Sequence, residues 1–189
     1  MLTLDYPSLL NVVLFDGIEK DEINSLLSDY AQEPVSYAKS DVIYSPEQKE
    51  RKLGIILSGK ATVYSADPER RVLLRSLEKS QIFGISNLFS NNDKFSTNII
   101  AKTTCKVLYL SAENVSIMLQ KNVKFLHNYI EYLADRVRFL NRRITYFTAG
   151  SAERRLSLYL CSLGEGKNVK IKYSMSDLSL MLDIGRASL

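Results

Sequence analysis

Three patterns predict an α+β protein whose first half is built of strands and whose second half is helical. Between Pro34 and Ser111, short apolar runs alternate with a period of two. From Val123 to Phe147 the apolar spacing is 3, 4, 3, 4, 3, 4 and 3, and the last residues read helix, tight turn, helix. With 189 residues, 46% hydrophobic and 24% charged, the chain has an ordinary globular make-up and is neither disordered nor collagen-like. The start, Met1 to Pro7, lacks the basic stretch of a signal peptide, and no run of about eighteen apolar residues occurs. The expected location is therefore the cytoplasm, with no membrane partner.

In chain order, Ile18, Ile23, Leu26 and Leu27 recur at helical spacing between Ile18 and Tyr30, and Glu19, Asp21 and Glu22 favour the positive end of that helix. The strand runs are Val35–Tyr37, Val42–Tyr44, Leu53–Leu57, Ala61–Tyr64, Val72–Leu77, Thr97–Ala101 and Val107–Leu110. Turn residues such as Ser58-Gly59-Lys60 and Asp67-Pro68 separate them. Short strands at this spacing imply a sandwich or barrel. Leu57 and Ala61 stand at the distance of a tight hairpin, for which Gly59 supplies the positive φ. Ser111 then caps a short helix, with Asn114 at its third position, and that helix leads into a long one.

The long helix organises the chain. Val123, Leu126, Ile130, Leu133, Val137, Leu140, Ile144 and Phe147 occupy the a and d positions of a two-stranded coiled coil, with no Gly or Pro among them. Its four heptads give a seam of about 37 Å, longer than one helix needs to cover a small domain, and this predicts a homodimer. Arg136 and Arg143 at g positions meet no acid at the e positions His127, Ala134 and Asn141. Burial along the seam, and not interchain ion pairing, would specify the partner. The alternative is an amphipathic helix lying on its own domain, which needs a wider apolar stripe.

Gly150-Ser151 ends this helix and caps the next, Ala152 to Leu163, whose Leu156, Tyr159, Leu160 and Leu163 share a face. Gly164 and Gly166 interrupt the chain before a short basic strand, Val169–Tyr173. Ser174 caps a further helix with Asp177 three residues on, Asp183-Ile184-Gly185 makes a turn, and Arg186-Ala187-Ser188-Leu189 begins another helix. Leu178, Leu182, Ile184 and Leu189 point inward, the pattern of a helix-turn-helix. Charge follows the same division. Residues 1–135 carry 15 Lys+Arg against 17 Asp+Glu, whereas residues 136–189 carry 10 against 4. A basic end of this kind suits nucleic acid, although a solvated basic face has the same composition.

The order Ile56-Leu57-Ser58-Gly59-Lys60-Ala61, Phe83-Gly84, Ala101-Lys102-Thr103-Thr104-Cys105-Lys106-Val107, the long helix, Glu153-Arg154-Arg155-Leu156 and the helix-turn-helix resembles the Crp/Fnr superfamily of bacterial transcription regulators. The resemblance implies an effector-binding-like antiparallel β-roll, a cupin-like jelly roll flanked by helices, over residues 1–120. It further implies a dimerisation helix over 121–149 and an incomplete winged helix-turn-helix over 150–189. By the same resemblance the expected function is a regulator that binds a palindromic operator as a dimer, with RNA polymerase as a further partner. Arg186 maps onto a base-reading position facing guanine. Ser174, Ser176 and Ser188 map onto or beside phosphate contacts, each of them equally suited to helix capping. The wing would lie past Leu189, so residues 1–189 are expected to bind DNA poorly.

Departures from the family pattern bear on the effector. Cyclic-nucleotide-binding members use a Gly-Glu for the ribose and an Arg-Ser for the phosphate, where this chain has Gly84-Ile85 and Phe95-Ser96; Leu140 and Asn141 replace the hydroxyl pair that meets the purine. Ile accepts no hydrogen bond, and a phosphate buried without its cation costs several kcal/mol. The roll is therefore not suited to a cyclic nucleotide and either is closed or admits an apolar small molecule. Two cysteines are too few for an iron–sulfur cluster, and His127 is the sole histidine. No metal, cofactor or catalytic residue is expected, and no nucleophile–base pair marks an enzyme. The alternative function is a dimeric sensing or scaffolding roll that leaves DNA alone.

Overall fold

The computed structural model describes residues 7–28, 30, 32–47, 50–67, 72–91, 97–164, 171 and 173–189. Its strands are β1 (Val35–Tyr37), β2 (Val42–Tyr44), β3 (Lys52–Ser58), β4 (Ala61–Ser65), β5 (Leu73–Leu77), β6 (Ile82–Phe83), β7 (Thr97–Ala101) and β8 (Cys105–Ser111). They form two antiparallel four-stranded sheets, in the orders β1-β8-β3-β6 and β2-β7-β4-β5. The helices are α1 (Lys20–Ser28), α2 (Ile85–Leu88), α3 (Ala112–Lys121), α4 (Val123–Phe147), α5 (Ala152–Ser162) and α6 (Met175–Leu182). This is a β-roll with flanking helices.

The first sheet is buried on both faces, which is why β3 reads as an apolar run and not as an alternation. Leu53, Ile55 and Leu57 join Leu108 and Leu110 of β8 in a core shared with the helices. The intervening Ile56 faces the other way and meets Val107, Tyr109, Ile99 and Ala101 between the sheets. Gly54 is required there: a Cβ would lie 2.0 Å from the Phe83 ring. Gly59 adopts the expected positive φ of 88°. The turn it makes is nevertheless not a hairpin, because β3 pairs with β6 and β8 while β4 pairs with β5 and β7. Residues 58–60 carry the chain from one sheet to the other, a change that the local sequence does not encode.

Two 3-10 turns, Pro7–Asn11 and Val13–Phe15, precede α1 and were not predicted. They send Leu9, Val12, Leu14 and Phe15 into the helix-side core, where the Phe15 and Phe125 ring centroids lie 5.6 Å apart. β6 and α2 also escaped prediction, since two and four residues are too short to show a period. Ser111 caps α3 by accepting from Asn114 N at 3.1 Å, and Asn122 caps α4 by accepting from Phe125 N at 2.8 Å. The expected strand at 169–173 falls largely outside the described residues; Ile171 and Tyr173, which are described, are not in a strand.

After Gly150, at φ +81°, Ser151 caps α5, and α5, α6 and a 3-10 turn at Arg186–Ser188 enclose a small core of Tyr159, Leu178, Leu182 and Ile184. Asp177 ties this unit to the roll through Lys102 Nζ at 2.8 Å. Its carboxylate also takes hydrogen bonds from Ser174, whose hydroxyl accepts from Asp177 N at 3.1 Å. Partial burial pushes the Asp177 carboxyl up, but the bonds from Lys102 and Ser174 and the Lys102 charge outweigh it and hold the group below the usual range.

Gly54→Ala should lower stability by about 1–3 kcal/mol, because Phe83 is held between other rings and cannot swing aside; urea midpoints read this directly. Lys102→Gln should cost at most about 1 kcal/mol at neutral pH, Lys102 being half exposed. Asp177 titrates lower folded than unfolded, so its contribution is present above the unfolded pKa and is lost as pH falls through the folded one. Wild-type and Lys102→Gln stabilities should therefore converge in acid.

Candidate functional site

Between the sheets, Ile43, Tyr44, Ile56, Val107 and Tyr109 belong to one buried cluster. Phe83 packs edge-on against Tyr44 at 6.2 Å and Tyr109 at 6.1 Å, and the Tyr109 hydroxyl shares a 2.8 Å hydrogen bond with Tyr37. Burial and the Tyr37 bond push the Tyr109 phenol well above its ordinary value, so it stays neutral. Such an aromatic set leaves the interior neutral and apolar. Its members lie far apart in the chain, and no local pattern joins them.

The predicted effector positions separate in the structure. Gly84, at φ +82°, lets the chain turn beneath the Lys52 carbonyl, which a Cβ would approach to 2.3 Å. Ile85 begins α2 and is 8% exposed in the helix-side core with Leu88. Phe95 and Ser96 lie outside the described residues. Leu140 and Asn141 are exposed on α4.

Charge enters the roll from another direction, which sequence reasoning missed. Arg75 on β5 reaches α4, where its Nη1 donates to the Tyr132 hydroxyl at 3.0 Å, and its Nη2 donates to the Ile82 carbonyl at 3.4 Å. One turn along α4, Arg136 lies over the Phe139 ring at 4.4 Å. Burial, and then the Arg75 charge, hold the Arg136 guanidinium below its ordinary pKa. No local pattern in the sequence signals this contact, since Arg75 and Tyr132 stand on elements far apart in the chain.

α4 has two apolar faces. Phe125 and Tyr129 are buried against the roll, with Tyr132 and Leu133 packed beside them. Of the eight predicted seam residues, Val123, Ile130, Val137, Leu140 and Ile144 are 52–66% exposed and Leu126 and Leu133 are half-buried. The Phe147 side chain lies outside the described residues.

In the C-terminal unit Ser174, Ser176, Arg186 and Ser188 are all exposed. Asp183 closes α6 in the left-handed region at φ +55°, and Ser179 donates to the Ile184 carbonyl at 2.6 Å. Arg155 of α5 holds this turn: its Nη1 donates to the Asp183 carbonyl at 2.8 Å, and its Nη2 donates to the Gly150 carbonyl at 3.1 Å. One guanidinium thus joins the end of α4 to the turn after α6. Among the described residues no group of three or more His, Cys, Asp or Glu is placed to hold a metal ion, and no helix is long and apolar enough to cross a membrane.

Comparison with known proteins follows this architecture. A mutant of CooA from Carboxydothermus hydrogenoformans matches over 99% of this chain and 81% of its own, with a TM-score of 0.73 and 19% identity. The c-di-GMP responsive global regulator CLP of Xanthomonas campestris matches over 86% and 84%, with a TM-score of 0.68 and 15% identity. The Thermus thermophilus catabolite activator protein matches over 93% and 82%, with a TM-score of 0.61 and 18% identity. No curated protein matches by sequence. At these identities the likeness is one of fold, and within it residues 34–122, from the approach to β1 through α3, match the sequence model of the cyclic nucleotide-binding domain.

Proposed function

We propose that the protein is a dimeric transcription regulator of Crp/Fnr type, with modules at residues 1–120, 121–149 and 150–189, whose roll does not take a cyclic nucleotide. The observation that carries this is the second apolar face of α4. Val123, Ile130, Val137 and Ile144 recur every seven residues and stay exposed while Phe125 and Tyr129 are spent on the roll. A helix serving only its own domain would have no use for them, whereas burial against a second α4 contributes about 1.5–3 kcal/mol per large side chain.

DNA reading falls to the C-terminal unit. Arg186 sits just beyond the turn with its guanidinium exposed, suited to the O6 and N7 of guanine, and the exposed hydroxyls of Ser174, Ser176 and Ser188 suit phosphate. An effector acting on the roll would reset the packing of two α4 helices and hence the spacing of two reading heads. The aromatic interior supports the exclusion of a cyclic nucleotide, since Tyr44, Phe83 and Tyr109 offer a buried phosphate no charge.

Sedimentation at micromolar concentration should give a dimer. Ile130→Asp with Val137→Asp should give a monomer whose circular dichroism is unchanged, and a dimer surviving that change would sink the reading. Residues 1–189 are expected to hold an operator only weakly, and that affinity should fall by orders of magnitude between 50 and 200 mM salt. Arg186→Ala should cost about 1–3 kcal/mol at a single base position. Cyclic AMP should give no heat in a titration calorimeter.

A further inference from the structure

A cavity of about 510 Å³ opens on the flank of the roll, where the N-terminal 3-10 turns, the β5–β6 turn and α4 meet. Its size is that of a metabolite site. Arg75, Lys79, Asn11, Gln81 and Tyr132 are among the residues that line it, and no carboxylate does so among the described residues. Two acids close to the lining in sequence pair elsewhere: Glu78 with Lys60 at 2.9 Å, and Asp135 with Arg138.

The Arg75 guanidinium has five donors, and among the described residues its hydrogen bonds go to the neutral Tyr132 hydroxyl and Ile82 carbonyl. Beside it stands Arg136, a second and half-buried guanidinium. Two like charges side by side repel, and a carboxylate or an anion between them is the usual remedy. Here the protein supplies the cations, the amides of Asn11 and Gln81, and the space, and among the described residues no carboxylate lines it.

We propose that this cavity binds a small, multiply charged oxyanion through Arg75 and Lys79, with Arg136 strengthening the field. The group recognised is a phosphate or carboxylate, which a guanidinium holds in bidentate fashion. The site is separate from the region around Gly84 and does not depend on DNA binding. Where the regulator reading holds, it gives the roll an anionic effector, because Tyr132 and Arg136 alternate along α4 with the seam residues Leu133 and Val137.

The test is calorimetric titration of the whole chain with pyrophosphate and with succinate, against sodium chloride of equal ionic strength. One site per chain is expected for at least one of the two anions; pyrophosphate alone would assign a phosphate ligand, succinate alone a dicarboxylate. Arg75→Gln should weaken binding by about tenfold or more. Lys79→Gln, at an exposed turn position, should weaken it severalfold without changing the melting temperature of the free protein, and Lys39→Gln, outside the cavity, should have no effect. Failure of both anions to bind, or binding untouched by Arg75→Gln and Lys79→Gln, would overturn the proposal while leaving the dimer seam and the DNA reading as they stand.

Discussion

Phe125 and Tyr129 are the points at which the long helix is fixed to the rest of the molecule, and the positions of all later residues follow from them. Phe125 is fully buried against Phe15, and the Asn122 cap one turn earlier also donates to Glu22 at 2.6 Å. The start of α4 is thus held by a ring, a cap and a carboxylate from three separate segments. Beyond Leu133 the helix leaves the core, and a rigid rod about 1.5 Å longer per residue carries its orientation outward. An amphipathic helix normally has one apolar stripe. Here the first turns need one for the roll, and the heptad positions form a second.

That division explains what was legible in the sequence. Strands β1, β2 and β7, the caps Ser111, Ser151 and Ser174, and the full extent of α4 were readable because each is set by residues within a few positions. The sheet change at Gly59 was not, since a glycine with positive φ serves a hairpin and a corner equally well, and the choice is made by β8 and β7 arriving 45 residues later. The 3-10 turns at the N-terminus were hidden for the same reason: Leu9, Val12, Leu14 and Phe15 follow no clean helical or strand period, and only the core they enter gives them order.

The candidate site was less legible than the fold. Family-based positions led to Gly84, Ile85, Leu140 and Asn141, which the structure distributes between a buried helix start and an exposed helix face. The polar feature that the fold does assemble, Arg75 with Tyr132 and Arg136, joins a strand residue to a helix more than fifty positions away. Arginine on a strand is ordinary in composition. Its partner could be named only once the strand and α4 had been placed side by side.

The same distance principle gives Arg155 its importance. A helix end is rich in unpaired carbonyls, since the last turn of a helix leaves four without internal donors. Arg155 donates to the carbonyl of Gly150, just past the end of α4, at 3.1 Å and to that of Asp183, which closes α6, at 2.8 Å. A planar guanidinium fixes angle as well as distance, which a lysine at the same position would not do. Arg155 therefore links the segment after α4 to the turn before Arg186 directly, and not by way of the roll. Lys102 and Asp177 form a second, weaker tether from the roll to the same unit, exposed enough for solvent to screen it. The C-terminal unit is thus held to the segment after α4 by Arg155 and to the roll by the Lys102–Asp177 pair.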